Sequence, residues 1–351
     1  MQVDYIIVGQ GICGSFMSHY LQQHNSKFVV LDEGKTTTSS KVASGVINPI
    51  TGRRLVRTWM IEEVLPFAVN AYQQLEQQLH CSFISPKNII DVFTTPQMKL
   101  AFDERLPQET DYLSNAIPSQ KFENVLHDFF GSGMINNCWL IDINLMLAQQ
   151  RQHLIQSNNL LTELFDATQL QVSSNAVQYK HITAKKIIFC DGIGSTQNQW
   201  FNMLPFAPNK GEALLVQIDQ LPRDYMYKCG VTIVPWQNNL FWVGSTYEWK
   251  FEDDKPTAQF KEKTIHTLQQ ILKTPFKVVD HLSAVRPANI ERRPFVGLHP
   301  IHPSISILNG MGTKGCSLAP YFASQFVKHL LYNSPINPLV DIKRFEKILS
   351  R

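Results

Sequence analysis

The stretch Asp4-Tyr5-Ile6-Ile7-Val8-Gly9-Gln10-Gly11-Ile12-Cys13-Gly14 decides how the rest of the chain is read. Asp4–Val8 is an apolar, β-branched run stopped by glycine, the pattern of a strand buried on both faces of a parallel sheet. From Gly11 to His24, Ile12, Phe16 and Tyr20 recur at i, i+4 spacing while Ser18, Gln22 and Gln23 fall on other faces, which predicts an amphipathic helix. Lys27–Leu31 predicts a second buried strand. Strand, glycine turn, helix and strand make a βαβ unit with a right-handed crossover. Gly9, Gly11 and Gly14 have the G-x-G-x-x-G spacing: one glycine for the tight turn, one for close approach of a pyrophosphate, one for helix–strand packing. The spacing alone is weak. Here it lies between a strand and a helix, and Asp32 follows the second strand near the ~20-residue offset of a carboxylate that binds a ribose hydroxyl. Gln10, Ile12 and Cys13, within the turn, join the glycines as candidate cofactor-binding residues. Asp32-Glu33-Gly34 offers two acids and no adjacent arginine, which disfavours a 2′-phosphate and hence NADP; FAD and NAD both stay open.

The 351 residues suffice for two ordinary domains or one large one. A net charge of +3 is too small to indicate nucleic acid or an anionic membrane as partner. The six cysteines are scattered with no C-x-x-C pair, and the eleven histidines form no metal spacing, so no metal site and no disulfide framework are expected, and a cytoplasmic location is. No basic n-region precedes the first strand and no apolar stretch approaches the ~20 residues of a membrane span, so neither signal peptide nor anchor is expected.

Farther along, residues 61–79 read as a helix that Pro66 kinks or begins, and 143–155 as another. Lys186–Cys190 is a buried strand ending in Asp191-Gly192. Beyond Trp200 come β-type runs at Ala213–Ile218, Val231–Val234 and Leu240–Val243, and Trp236, Trp242 and Trp249 are expected in the core of that sheet-rich part. Ile305–Leu308 is a strand running into a glycine-rich segment, and a last helix is expected over Ser317–Tyr332 with Pro320 in its first turn.

Several of these segments, in order, resemble the FAD-dependent oxidoreductases of the D-amino acid oxidase and glycine oxidase superfamily. Ala43-Ser44-Gly45-Val46-Ile47-Asn48-Pro49 is similar to the family's small-residue segment that runs past the flavin. Phe189-Cys190-Asp191-Gly192 is similar to its second glycine-ended strand, with Cys-Asp in place of the usual Ala or Ser before glycine. Pro208-Asn209-Lys210-Gly211-Glu212 and Gly244-Ser245-Thr246-Tyr247-Glu248 resemble its two substrate-sheet motifs. Val285-Arg286-Pro287 with Arg293-Pro294-Phe295-Val296-Gly297, then Gly310–Gly315 and Ala319-Pro320, resemble its C-terminal signature.

The resemblance implies FAD and an α/β fold: a doubly wound, Rossmann-like FAD-binding domain from residues 1–80, 140–200 and 285–351, with a β-rich α+β substrate domain from 81–139 and 201–284. Some amine oxidases of the superfamily tether the flavin through a cysteine in the C-terminal region, but the sequence around Cys316 does not match that site, so non-covalent FAD is expected. The resemblance also implies cofactor contacts at Gly9, Gln10, Gly11, Ile12, Cys13, Gly14, Asp32, Glu33, Ser44, Gly45, Val46, Asn48, Cys190, Gly192, Gly310, Gly312, Thr313, Lys314 and Gly315. The 310–315 turn, placed before a helix, can offer N–H groups to the flavin pyrimidine edge, and Lys314 can add charge to stabilise the reduced ring. Arg286 is implied as the partner of a substrate carboxylate. The implied reaction is oxidation of the C–N bond of a small amine or amino acid. Rivals are oxidation of a 2-hydroxy acid or polyol phosphate, a flavin-binding protein without turnover, and, from the first turn alone, a NAD-binding protein.

Overall fold

The computed structural model describes residues 1–115, 120–127 and 129–350. Its first sheet has five parallel strands in the order Leu160–Leu161, Phe28–Leu31, Gln2–Val8, Ile182–Phe189 and Ile305–Asn309. Cα partners such as Ile7↔Val30 and Ile6↔Ile187 align residues that are all fully buried, which is why these strands read as unbroken apolar runs. The hairpin Leu170–Val172/Val177–Tyr179 pairs with the first half of Ile182–Phe189, and Phe295–Leu298 lies antiparallel to Ile305–Asn309.

Helix Ile12–Gln23 departs from the expected amphipathic pattern: every residue from Ile12 to Leu21 is buried. It is enclosed by the first sheet and by helices Ile143–Gln156 and Gly315–Tyr332. Ser18 tolerates this because its hydroxyl donates to the Ser15 carbonyl at 2.9 Å and accepts from Gln150 Nε2 at 3.1 Å. Helix Ile61–Leu79 runs through Pro66, which neither begins nor ends it. Helix Gly315–Tyr332 begins two residues before the expected start, so Pro320 falls in its second turn, where the missing N–H leaves the Cys316 carbonyl without its helical donor. The buried Tyr72 hydroxyl fills the vacancy at 2.9 Å.

A second sheet of eight strands has the order Lys277–Arg286, Asn209–Gln217, Leu240–Gly244, Thr232–Pro235, Met226–Lys228, Ile89–Val92, Ser132–Ile135 and Leu113–Asn115. All neighbours are antiparallel except Met226–Lys228 with Ile89–Val92. Helix Ala258–Ile271 shares an apolar cluster with one face of this sheet. The largest cluster joins both sheets to the helices between them, and a third, with Ile342, Phe345 and Leu349, lies under the first sheet. Trp242 ties the halves together, its indole N–H donating to the Val42 carbonyl at 2.9 Å. Of the residues assigned to the two expected domains, 116–119, 128 and 351 lie outside the described residues.

Candidate active site

The parallel strands end in a row of interlocked turns. Gly9 N–H donates to the Leu31 carbonyl at 2.8 Å and Cys190 N–H to the Val8 carbonyl at 2.9 Å, fixing three strand ends against one another. Gly9 has φ +94°, and a Cβ there would stand 2.7 Å from the Cys190 carbonyl oxygen. A Cβ at Gly14 would overlap the Gly9 carbonyl. Gly11 differs, since the nearest atom to a Cβ there is the Ser40 hydroxyl at 3.1 Å. The protein's own packing therefore requires glycine at 9 and 14, whereas at 11 only the end of the Ser40 side chain is close and the backbone lines the cleft, as close approach of a pyrophosphate demands. Ser40 Oγ also accepts the Ile12 N–H at 3.1 Å, and no side chain caps this helix from Gly11.

On one side of the turn, Asp32 Oδ2 accepts the Gln10 N–H at 2.8 Å, and Oδ1 accepts the Gly34 N–H at 2.8 Å and Arg151 Nη1 at 2.7 Å. Oδ1 is saturated; Oδ2 keeps a lone pair for a ligand hydroxyl. On the other side, Asp191 accepts from the Ser195 hydroxyl and, at 3.4 Å, from Asn309 Nδ2. Asn309 Nδ2 also donates to the Gly192 carbonyl at 2.8 Å, while its Oδ1 receives the Gly310 N–H at 2.8 Å. One asparagine thus clamps the second and third glycine turns. Burial pushes the Asp191 carboxyl up to about 6, against the opposing effect of the Ser195 hydrogen bond.

Gly310 and Gly312 have φ of +75° and +56°, and the turn delivers the chain into helix Gly315–Tyr332 with Lys314 at its N-cap. Helices Ile12–Gln23 and Gly315–Tyr332 pack together, so two helix N-termini open on the same cleft, each favouring negative charge. Lys314 lies on the wall of that cleft, its pKa lowered by burial and by the nearby Arg293 and Arg292. Burial pushes the Cys316 thiol up to about 12, so it is neutral and a poor nucleophile near pH 7.

The cleft encloses about 2440 Å³ and continues from these turns to the edge of the second sheet. That exceeds the roughly 300–1,000 Å³ of an ordinary small-molecule site and leaves room for an extended dinucleotide with a second molecule beside it. On the wall of the same cleft stands Arg286, two residues before Ala288, which borders the third turn at Gly312. Its Nη1 donates to Asn209 Oδ1 at 2.7 Å and the Thr246 carbonyl at 3.1 Å, its Nη2 to Ser245 Oγ at 2.9 Å, and its guanidinium lies 5.0 Å from the Tyr247 ring centre. Among the described residues no carboxylate lies within salt-bridge distance of it. Burial lowers its pKa from the usual arginine value, yet a guanidinium stays charged. A side chain at Gly211 would overlap this guanidinium, which accounts for the glycine in Pro208–Glu212.

Of the sequence-predicted residues, the cleft brings together Gly9, Gly11, Ile12, Cys13, Asp32, Glu33, Ser44, Val46, Asn48, Cys190, Gly192, Arg286, Gly310, Gly312, Thr313, Lys314 and Gly315. Gln10, Gly14 and Gly45 sit behind its wall. Gln10 contributes structure instead, its Nε2 donating to the Leu147 carbonyl at 3.0 Å, and Gly45, at φ +80°, crosses the Ile141 carbonyl where a Cβ has no room. Trp242 is buried as expected, whereas Trp249 is 56% exposed at the cleft and so is not a core residue. Arg151 and Asn309 also shape the site, though no sequence motif marks them. The first is 119 residues from its partner Asp32, beyond any local pattern; the second carries no more than the local turn signal Asn-Gly at a strand end.

A doubly wound dinucleotide fold whose glycine turns and helix N-termini converge on one cleft defines a cofactor-dependent oxidoreductase, and its residues fit FAD. The model of the FAD dependent oxidoreductase (DAO) family matches residues 4–328, and the chain belongs to that family. It is 24% identical to the glycine oxidase of Bacillus subtilis (strain 168) over 368 residues, covering 95% of this chain and 94% of the relative. Its fold matches the crystal structure of glycine oxidase from Geobacillus kaustophilus with a TM-score of 0.80 at 16% identity, covering 98% of each chain. It also matches iminodiacetate oxidase from Chelativorans sp. BNC1 with a TM-score of 0.78 at 16% identity, covering 97% of this chain and 98% of that one. The expected fold, an FAD-binding Rossmann-like domain with a substrate domain, and the expected cofactor, FAD, stand; the NAD-only alternative does not. Among the described residues no helix is long and apolar enough to cross a membrane.

Proposed function

We propose that this FAD-dependent oxidoreductase oxidises the C–N bond of a small carboxylated amine, an amino acid in the simplest case. The observation that carries the reading is Arg286, a cation held by neutral groups alone on the wall of the cofactor cleft. Its planar fork can bind both oxygens of a carboxylate and so fix the α-carbon as well as the charge. The names of two relatives, glycine oxidase and iminodiacetate oxidase, point to carboxylated amines and support the same class. When bound, the flavin supplies the hydride acceptor; the imine released is hydrolysed by water. The chain's part is to orient: Arg286 holds the carboxylate, the first turn and Asp32 hold the dinucleotide, and Lys314 places positive charge at the N-terminus of helix Gly315–Tyr332. Residues 1–80, 140–200 and 285–351 are taken as the FAD-binding part and 81–139 and 201–284 as the substrate part; the two eight-stranded sheets support this except at Val285 and Arg286, which end a strand of the second sheet, and a small sheet of Val46–Ile47, Ile84–Pro86 and Trp139–Ile141 bridges the two parts. The cysteines, free among the described residues, suit a cytoplasmic location.

Rapid mixing of the oxidised holoenzyme with amines tests the reading through flavin bleaching. Carboxylated amines should reduce the flavin, with kcat/KM falling about 100-fold in Arg286→Lys and about 1,000-fold in Arg286→Met, while FAD content and uncarboxylated amines are little affected. Equal losses for both substrate classes would return Arg286 to a purely structural role. Because the same fork would hold a 2-hydroxy acid, the panel includes glycolate, and glycerol 3-phosphate for the polyol phosphates. Reduction by one of these and by no amine would move the assignment to that class, and tight FAD with no reduction by any would leave a flavin-binding protein without turnover.

A further inference from the structure

The cross-strand register puts Asn209 directly opposite Arg286 on strands Asn209–Gln217 and Lys277–Arg286. Asn209 is 1% exposed, and its Oδ1 accepts Nη1 of Arg286 at 2.7 Å. Its Nδ2 is buried with no hydrogen-bond partner among the described residues. A buried amide that leaves its own donor unpaired is placed for the sake of its oxygen. An aspartate has the same shape, would remove the unpaired donor and would give the buried guanidinium the carboxylate that such groups ordinarily have. Asn209 instead fixes Arg286 without neutralising it. Gly211, whose lack of a side chain leaves room for the guanidinium, completes the seat.

We propose that Asn209 is the positioning residue of an anion subsite, holding the Arg286 fork in place while leaving its charge to a planar carboxylate that enters from the cleft. This rests on the reading of Arg286 given above and adds how the site keeps its charge. The ligand class follows from the geometry: Nη1 spends both N–H groups on Asn209 and Thr246 and Nη2 one on Ser245, which leaves Nε–H and one Nη2–H as a two-pronged donor, with uncharged direct partners and with Tyr247 and Trp249, 60% and 56% exposed, on the same cleft.

The test uses purified holoenzyme and benzoate, with binding read from the flavin absorbance spectrum. Asn209→Asp should keep its FAD and melt no lower than the native protein, because it gains an ion pair, yet bind benzoate at least about 100-fold more weakly, because its charge both occupies Arg286 and repels the ligand. Asn209→Leu, which removes the tether without adding charge, should lose about tenfold. Benzoate binding by Asn209→Asp within threefold of native overturns the proposal, as does an equal loss in both variants, which would reduce residue 209 to a packing position. Should Asn209→Asp not fold, unchanged benzoate binding by Asn209→Leu overturns it and a tenfold loss upholds it. Failure of the native holoenzyme to bind benzoate, or unchanged binding in Arg286→Met, defeats the carboxylate reading itself and this proposal with it; native binding that Arg286→Met abolishes and Asn209→Asp preserves defeats the proposal alone.

Discussion

Two aspartates flank the first glycine turn, one at the end of each strand neighbouring Gln2–Val8. Asp32 follows Phe28–Leu31 and Asp191 follows Ile182–Phe189, and both lie on the wall of the same cleft. Asp32 receives two backbone N–H groups and an arginine, so its charge is balanced and fixed. Asp191 receives a hydroxyl and a side-chain amide, both neutral, and burial pushes its carboxyl up to about 6. The same residue type is an anionic anchor on one side and a carboxyl that titrates near neutrality on the other. Burial without a cation sets Asp191 apart from Asp32, and the groups that contact the two carboxylates include distant ones: Arg151 for Asp32, Asn309 for Asp191.

Substitutions in the glycine turns themselves should have the largest effect and test whether the two sides are built differently. Gly14→Val drives a side chain into the Gly9 carbonyl, a backbone atom that cannot yield, and should cost several kcal/mol, enough to prevent folding. Gly192, at φ +58°, has nothing within 4 Å of an added Cβ, so Gly192→Ala should cost only about 1 kcal/mol of backbone strain. Gly11→Val discriminates further: only the Ser40 hydroxyl is near, so the protein should fold, show native circular dichroism and carry no flavin. Stoichiometric FAD in folded Gly11→Val would remove this turn from the cofactor site.

The split between local and distant partners also explains how much was legible in the sequence. Strand, turn and helix at 2–23 depend on neighbours a few residues apart, and there the apolar run and the glycine spacing stand in the sequence itself. Asp32 was legible for the same reason. The burial of Ser18 was not, since a serine looks like a solvent-facing residue until Gln150, on another helix, supplies its donor. Pro320 was misplaced by one turn because Tyr72, which satisfies the carbonyl it strands, is 244 residues away. Arg286 was reached through family resemblance, and only the strand register shows that neutral Asn209 holds it. Physical reading of sequence recovers what adjacent residues settle; ion pairing and charge balance belong to tertiary contacts.

Asp191 offers the next test of the contrast, on flavin-free protein. Its folded carboxyl, at about 6, lies above the unfolded value of 3.8, so between these values the folded state binds the extra proton and stability falls as pH rises. At 1.36 kcal/mol per unit the decline is at most about 3 kcal/mol between pH 4 and pH 7. Asp191→Asn keeps an oxygen for Ser195 and Asn309 but cannot ionise. Subtracting its urea-unfolding free energies from the native ones across that range should isolate the decline, with the variant the more stable at pH 7. A flat difference would mean that Asp191 is solvated like any surface acid and that the two aspartates are alike.

The remaining test concerns Asp32 and its unforeseen partner. Asp32→Ala removes an acceptor proposed for a ribose hydroxyl and should weaken FAD by about 2 kcal/mol, roughly thirtyfold in Kd, measured by flavin fluorescence during titration of the apoprotein. Arg151 sits on the other side of the carboxylate, bonded to Oδ1 and to the Asp32 carbonyl at 3.1 Å, and is absent from the cleft wall. We propose that Arg151 acts on FAD through Asp32, whose Oδ1 it grips so that Oδ2 faces the ligand, its contact with Gln10 Oε1 at 3.2 Å serving only to steady the turn. Arg151→Met should therefore weaken FAD by less than Asp32→Ala, and adding it to Asp32→Ala should weaken FAD no further. Additive losses would show that Arg151 reaches the dinucleotide by a route of its own, and the aspartate would then be one of two independent anchors instead of the end of a single Arg151–Asp32–ligand chain.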